Sequence, residues 1–465
     1  MPESPAAWDA LLATVVPAAS LFAVGGRVRD DVRTELDGVA RPVKDLDYVV
    51  TGLELRELVE CLARVGRADV VGAAFAVVKL TVDGETVDVA LPRREASTGS
   101  GHRDFTVEAG PAIPLGDDLG RRDFRMNMIA RSVATGELVD PFDGRADIAA
   151  RRIDLLRPDA FVEDPLRMLR ACQFAARFDF AVTPATLAAM TAAAPLVTTV
   201  SPERIRDELL KLVVIAQRPS VGLELMRATG LLDRVVPELA EGIGVTQNEY
   251  HAFDVYGHAL ASVDGSPPGD PVLRVAALLH DVGKPRTKDG PHFYNHDVVG
   301  AEMAAAILER LRLSAEQIDV VAGLIRHHMY ATGDELTESA IRRFIKRVGP
   351  PHLARQFALR HADIVGSGLP KRGGQNERFE ARVAAELMRE PVLGTRGLAV
   401  DGNDVLAALA TAGALASGRR GSPRVGEILA LLLEDVLDDP ARNERSNLLV
   451  RVRELAAVSC ETLGD

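Results

Sequence analysis

The chain has 465 residues, 47% hydrophobic and 26% charged, with a formal net charge of −12. This is a globular composition of two to four domains. The net acidity argues against a surface coated in nucleic acid, although a local basic track remains compatible with it. The three cysteines, Cys61, Cys172 and Cys460, are far apart and odd in number. They imply neither a disulfide framework nor a zinc ribbon, and they point to a reducing cytoplasm. No apolar run is long enough to span a membrane.

Early in the chain, "LLATVVPAASLFAV" is preceded by Glu3 and Asp9 rather than by a basic region, so it reads as a helix end plus a strand. "LFAVGGRVRD" follows as strand, glycine turn and helix start near Val28. Gly25 and Gly26 let the backbone approach a ligand closely, and the helix N-terminus turns N–H groups toward phosphate. Arg27 or Arg29 would add charge-assisted hydrogen bonds. In "KDLDYVV", Asp45 and Asp47 are i and i+2 on a strand and face one side. Two such carboxylates can hold two divalent cations, Mg²⁺ by their oxygen chemistry, as in-line nucleotidyl transfer requires. Asp88, in "TVDVAL", is a candidate third carboxylate.

Further β-type runs ("AFAVVKLTV", "ETVDVALP", "GELVDPFDG") and a helix in "GLELRELVECLARVG" predict an α/β region with a mainly antiparallel sheet over residues 20–150. Residues 91–121 are polar and turn-rich, long enough for a functional loop. From Glu163 the pattern is helical: "EDPLRMLRACQFAARF", "TPATLAAMTAAAPLV" and "SPERIRDELLKLVVIA" each carry an apolar stripe and a start signal. Ser201 reads as an N-cap with Pro202 at the first helical position. Residues 250–365 are helical and rich in histidine. The stretch 366–378 is the best linker or exposed-loop candidate, and a helical tail follows.

Taken in order, these residues resemble motifs of the class II tRNA nucleotidyltransferases (CCA-adding enzymes) and the related bacterial poly(A) polymerases. "VGGRVRD…KDLDYVV" resembles their first motif. "RRDFRMN" resembles the R-R-D motif at Arg121, Arg122 and Asp123, followed by Asn127, and implies contacts to ribose and phosphates. Asp140, Gly144 and Asp147 match a motif that positions the catalytic domain. "EDPLR" matches the base-reading motif at Glu163, Asp164 and Arg167, and "SPERIRDEL" a later helix-start motif. The turn-rich loop matches one associated with the switch from C to A addition.

The residues supply a chemical rationale for base reading. Asp164 and Arg167, i and i+3, share a helix face. A carboxylate beside a guanidinium complements an exocyclic amine beside a ring-nitrogen acceptor, the pattern of cytosine and of adenine. Uracil and guanine present the reverse and would leave buried groups unpaired. Asp164 before Pro165 is equally a helix cap, with Arg167 as its ion-pair partner.

Nine of ten histidines fall between His251 and His361. Imidazoles and carboxylates converging from several helices suit a transition metal such as Ni²⁺, Mn²⁺, Fe²⁺, Co²⁺ or Zn²⁺. The spacing resembles the HD phosphohydrolase domain, with its core at His258, His280, Asp281 and Asp363. His296 and His327 match the extra positions of a second metal. The resemblance implies hydrolysis of 2′,3′-cyclic or terminal phosphates. His251, His292, His352 and His361 read as ordinary surface or core histidines. Basic candidates for an RNA track are Arg152, Arg343 within "IRRFIKR", and Arg419 and Arg420 within "GRRGSPR".

The expected protein is α+β: a polymerase-β-like nucleotidyltransferase head (1–150), then an all-α neck with the base reader (151–240), an HD domain (241–370) and a helical tail (371–465). The expected activity is template-independent addition of C and A to tRNA 3′ ends from CTP and ATP. The alternatives are a poly(A) polymerase, a CC-only or A-only enzyme, and an HD phosphohydrolase with an RNA-binding head.

Overall fold

A computed structural model describes residues 4–42, 46–71, 76–97, 105–370, 374–412 and 423–461. Asp45, Arg419 and Arg420 lie outside the described residues. The chain divides into two units: Met1–Ile243 with Pro267–Pro271 and Ile307–Leu313, and Gly244–Ser266 with Val272–Ala306 and Ser314–Asp465.

The first unit begins with α1 (Pro5–Ala13), capped by Ser4, whose Oγ accepts from Ala7 N at 3.2 Å. Next come β1 (Leu21–Val24), α2 (Gly26–Asp37), β2 (Asp47–Val50), α3 (Leu55–Leu62), β3 (Arg67–Val71), β4 (Val77–Val82) and β5 (Glu85–Ala90). β6 (Arg93–Ser97), β7 (Phe105–Ala109), α4 (Leu115–Gly120), β8 (Ala130–Ser132), β9 (Leu138–Val139) and α5 (Gly144–Ala149) complete the region. Seven strands form one sheet in the order β3-β4-β5-β2-β1-β8-β9. Its pairings are antiparallel except β2 with β5, so the expected mainly antiparallel sheet is present. Period-2 alternation explains the strands: Val78 and Leu80 on β4 and Val87 and Val89 on β5 are buried. Val24, Val49, Leu119, Met128 and Ala130 form a core between sheet and α4.

The expected loop at 91–121 contains a strand pair. β6 and β7 pair antiparallel from Arg93↔Ala109 to Ser97↔Phe105; the β7 sequence alternates apolar and polar residues at Phe105, Val107 and Ala109, whereas that of β6 is almost wholly polar.

The remainder of this unit is helical, with a two-residue parallel pairing of β10 (Arg152–Ile153) and β11 (Ala181–Val182). Its helices are α6 (Ala160–Glu163), α7 (Leu166–Phe178), α8 (Pro184–Ala193), α9 (Pro202–Leu210), α10 (Pro219–Ala228), α11 (Leu232–Val235) and α12 (Pro237–Ala240). A single π-turn, Lys211–Ile215, extends α9. Eleven of the thirteen residues of α7 are buried, which makes it the central helix, with α9 and α10 packed on it.

The second unit contains α13 (Val255–Gly265), α14 (Pro271–Leu279), the hairpin β12 (Lys288–Asp289) with β13 (His292–Phe293), α15 (His296–Arg310), α16 (Ala315–Arg326), α17 (Glu338–Val348) and α18 (Leu353–Gly366). α19 (Gln375–Leu387), α20 (Gly402–Thr411), α21 (Pro423–Asp438) and α22 (Arg445–Glu461) follow. α13 lies along α18. The stretch 366–378 does not separate units: α19 starts at Gln375, inside the second unit.

Two of the candidate RNA contacts make ion pairs within the protein. Arg343 donates to Glu434 at 2.9 Å and Asp438 at 2.8 Å, and its neighbour Arg342 donates to Glu386 at 2.8 Å. The basic stretch thereby joins α17 to α19 and α21. Arg152 likewise pairs with the buried Asp147. Arg27 also turns away from the glycine turn. It makes a two-pronged ion pair with Asp9 (2.8 and 2.6 Å) and donates to the Tyr48 hydroxyl at 2.8 Å, tying α1, α2 and β2 together. Among the described residues, no helix is long and apolar enough to cross a membrane.

Asp9→Ala leaves the buried Arg27 guanidinium and the Tyr48 hydroxyl short of an acceptor. We expect a loss of about 2 kcal/mol in unfolding free energy, measured by urea denaturation.

Candidate active-site cleft and metal centre

The first unit contains a cleft of about 590 Å³. Its floor begins at Gly25, which has φ +75° and ψ −143°, a backbone conformation closed to other residues. A Cβ here would also stand 3.1 Å from Asp47 Oδ2. Glycine therefore brings the turn before α2 against the carboxylate that opens β2. Asp88 lies directly beside Asp47 in the parallel β2–β5 register, and the two line one recess with Arg122. Two adjacent carboxylates supply oxygen donors that fit a hard divalent cation. Parallel strand pairing, invisible in the sequence, joins Asp88 to the site.

Nine cationic side chains and four carboxylates line the cleft, a balance suited to a polyanion. Buried carboxylates hold several of these arginines. Asp118, fully buried, accepts from Arg121 at 2.8 Å and Arg122 at 3.3 Å. Burial alone would raise its pKa, but the two guanidinium charges outweigh that and lower it. Asp123 accepts from Arg170 Nε at 2.8 Å, Asn127 Nδ2 at 2.8 Å and Phe124 N at 2.9 Å. Its pKa is also lowered, with Arg170 and Asn127 overcoming burial. Asn127 Oδ1 accepts from Arg29 at 2.8 Å, and the Arg29 guanidinium lies 4.4 Å from the centre of the Phe178 ring. A continuous chain, Arg29–Asn127–Asp123–Arg170, thus lines the cleft wall. Asp118 and Arg170 are absent from the sequence reading. For Arg170 the signal was its place one turn beyond Arg167 on α7.

Asp164 and Arg167 reach the same cleft, but they do not pair with each other through their side chains. Arg167 donates to Arg121 O at 2.6 Å, Ala160 O at 3.2 Å and Glu163 at 3.3 Å. Asp164 pairs with Arg204 of α9 at 3.0 Å, and its Oδ1 also accepts from Leu166 N at 3.3 Å. The helix-cap contact and a place in the cleft coexist. Asp140 caps α5, accepting from Gly144 N at 2.7 Å and Arg145 N at 2.8 Å, and Asp147 accepts from Arg125 at 2.9 Å.

In the second unit, His258 on α13, His280 and Asp281 just after α14, and Asp363 on α18 converge. His258 Nε2 lies 3.0 Å from His280 Nε2, 3.2 Å from Asp281 Oδ2 and 3.2 Å from Asp363 Oδ1. On the other side of the same carboxylate, Asp281 Oδ1 lies 3.4 Å from His296 Nε2 and 3.6 Å from His328 Nε2. Three of these rings are oriented alike. Nδ1 of His280, His296 and His328 each meets the carbonyl three residues earlier, at 2.9, 2.6 and 2.7 Å. A proton on Nδ1 leaves Nε2 as a lone pair aimed inward. Lone pairs this close repel unless a cation sits between them. The donor set, imidazole nitrogens with a central carboxylate reaching two groups, fits one or two transition-metal ions.

The electrostatics agree. Burial would depress the His280 pKa, but Asp281 and Asp363 raise it to about 10. Both carboxylates are held well below the usual range against burial, Asp281 by His280 and Lys284, and Asp363 by His258 and His280. The cluster attracts positive charge.

The histidine that faces the cluster beside His296 is His328, not His327 as the sequence suggested. His327 N still bonds Gly323 O at 3.2 Å, continuing α16 for one residue. About 100° of helical rotation separates neighbours, so His327 faces a separate cavity with Arg347 and His352. Two further residues stand at the cluster: His251, which the sequence suggested was an ordinary histidine, and Lys284, which it did not single out. His251 stands edge-on to His258, with ring centres 4.8 Å apart, and groups with His258 and Asp281. Burial, Lys284 and His258 lower its pKa to about 4. Lys284 reaches Asp281 at 2.6 Å, and the spacing of "HDVGK" places it one turn on. Glycine is required again at Gly283, where a Cβ would come 2.4 Å from His296 O.

Comparison with known proteins agrees with this geometry. Residues 21–154 match the poly A polymerase head domain, 179–243 a probable RNA and SrmB binding site of polymerase A, and 250–365 the HD domain. The fold is shared with a Bacillus stearothermophilus CCA-adding enzyme solved with CTP (TM-score 0.71, 21% identity, 99% of this chain and 100% of that one). It is shared also with a Thermotoga maritima CCA-adding enzyme solved with tRNA (TM-score 0.58, 19% identity, 98% and 97%). Fold and domain matches together define a nucleotidyltransferase carrying an HD domain, two modules that use divalent metals. Multifunctional CCA proteins are similar across most of the chain: that of Nitrosococcus oceani is 36% identical over 402 residues (82% of this chain, 94% of the relative). That of Ralstonia nicotianae is 37% identical over 336 residues (69% and 75%). The chain belongs to the multifunctional CCA protein family.

Gly25→Ala is expected to weaken nucleoside triphosphate binding at least about tenfold by titration, from backbone strain at the turn, with circular dichroism unchanged. Adding Ni²⁺ or Mn²⁺ in hundredfold excess over its dissociation constant should stabilise the protein by about 3 kcal/mol in thermal melts. EDTA should reverse this, and His280→Ala should abolish it.

Proposed function

We propose that the protein adds C and A to the 3′ end of tRNA without a nucleic-acid template, using CTP and ATP. One observation carries this reading: a single cleft is lined by the glycine turn, Asp47, Arg122, the Asp123–Asn127 pair and the Asp164–Arg167 motif. In this reading residues 1–150 are the head, 151–240 the neck, 241–370 the HD domain and 371–465 the tail. The free thiols of Cys61 and Cys172 and a tRNA substrate suit the cytoplasm.

Asp45 and Asp47 would hold Mg²⁺, with Asp88 alongside. The ion, when bound, supplies charge neutralisation at the reacting phosphates. The glycine turn and the N-terminus of α2 seat the triphosphate. Arg122, braced by Asp118, donates to its oxygens, and the pyrophosphate leaves along the same cationic wall. Asp123 and Asn127, fixed by Arg170 and Arg29, present the ribose contacts. Asp164 and Arg167, with Glu163 bracing the arginine, read the base edge. Such pre-set donors cost little reorganisation when charge develops.

The histidine cluster supports a second activity, hydrolysis of 2′,3′-cyclic or terminal phosphates. His258, His280, Asp281 and Asp363 would hold one ion, and Asp281 with His296 and His328 another, of Ni²⁺, Mn²⁺, Fe²⁺, Co²⁺ or Zn²⁺. Lys284 is placed to steady the shared carboxylate.

Incubating the protein with tRNA that ends before CCA, with CTP and ATP singly or together, tests the main reading. We expect complete CCA only with both nucleotides, and addition at the no-enzyme background for Asp47→Ala. Long A tails on an unrelated RNA would instead identify a poly(A) polymerase.

A further inference from the structure

A side-chain pair can replace a template only if both members hold still. A carboxylate accepts a hydrogen bond from almost any donor. It selects an exocyclic amine only if it cannot swing to a neighbouring ring N–H. Opposite uracil, a fixed Asp164 faces a carbonyl and Arg167 faces an N–H, and both contacts fail. A mobile Asp164 would abandon the carbonyl, take the ring N–H, and lose the distinction.

The structure holds the two readers through separate partners. Arg167 is pinned by Arg121 O, Ala160 O and Glu163. Asp164 is pinned by Arg204, whose Nη2 contacts Oδ2 at 3.0 Å and Oδ1 at 3.2 Å, and by Leu166 N at 3.3 Å. Had the two paired with each other, their hydrogen-bonding groups would already be spent. Held apart, each keeps capacity for a base edge, since a carboxylate has about four lone-pair sites and a guanidinium five N–H groups. Arg204 comes from the first turn of α9, opposite the start of α7. It lines the same cleft, and its side chain is 47% exposed. That exposure gives it little part in the core.

We propose that Arg204 is a positioning residue for base selection: it clamps the Asp164 carboxylate so that, beside Arg167, only an amine-plus-acceptor base edge is paired. This rests on the reading of Asp164 and Arg167 as the base readers. Arg204 acts through Asp164 and governs which nucleotide is chosen more than how fast it is joined.

The test is single-nucleotide addition to tRNA lacking its 3′ end, with kcat and KM measured separately for CTP, ATP, UTP and GTP. Arg204→Ala should lower the preference for CTP over UTP by about tenfold or more, with a smaller change in kcat for CTP. Arg204→Lys, with one compact donor group in place of a fork, should restore part of it. Arg204→Gln keeps a donor at lower charge and serves if the alanine variant melts early. Asp164→Ala separates the two ideas. If it keeps full selectivity, the base-reading assignment itself is wrong. If it loses selectivity while the Arg204 variants keep theirs, or if those variants slow all four nucleotides equally, the role given to Arg204 is wrong.

Discussion

The head depends on buried carboxylates that hold arginines of the same cleft in fixed positions. Asp118 joins Arg121 and Arg122, and Asp123 joins Arg170 and, through Asn127, Arg29. Without these anions, so many guanidinium groups in one small volume would repel one another and splay toward water. With them, each arginine keeps part of its fork committed to the protein and the rest directed at the cleft. The ion pairs that stabilise the wall therefore also orient it. A polyanion entering the cleft meets donors whose desolvation and ordering were completed on folding.

The second unit solves the opposite problem. Its cluster is built from acceptors: four imidazole Nε2 atoms and two carboxylates around one point. Backbone carbonyls three residues before His280, His296 and His328 set the tautomer, so each ring offers its lone pair inward. The Asp281 carboxylate, which meets a histidine pair on each oxygen, is the hinge of the arrangement. One unit is a cradle of fixed donors for an anion, and the other a nest of fixed acceptors for a cation.

Much of this was legible in the sequence. The β1-turn-α2 unit was readable because an apolar run ending in Gly25-Gly26 has few other conformational outcomes. The strand that opens at Asp47 followed from its apolar run, and the grouping of His258, His280, Asp281 and Asp363 from the resemblance to the HD domain. The adjacent histidines were harder, since one residue of helical rotation decides which faces the cluster, and His328 does.

What the sequence by itself determined was local: which residues form strands and helices, where the chain turns, and which side chains share a face. These depend on sterics and periodicity within a few residues. Only the tertiary structure decided which charges meet. Arg343 finds Glu434, Arg27 finds Asp9 rather than the glycine turn, and Asp164 finds Arg204 rather than Arg167. Long, flexible charged side chains take whichever opposite charge the packing of distant segments brings within reach, and no local pattern records that choice.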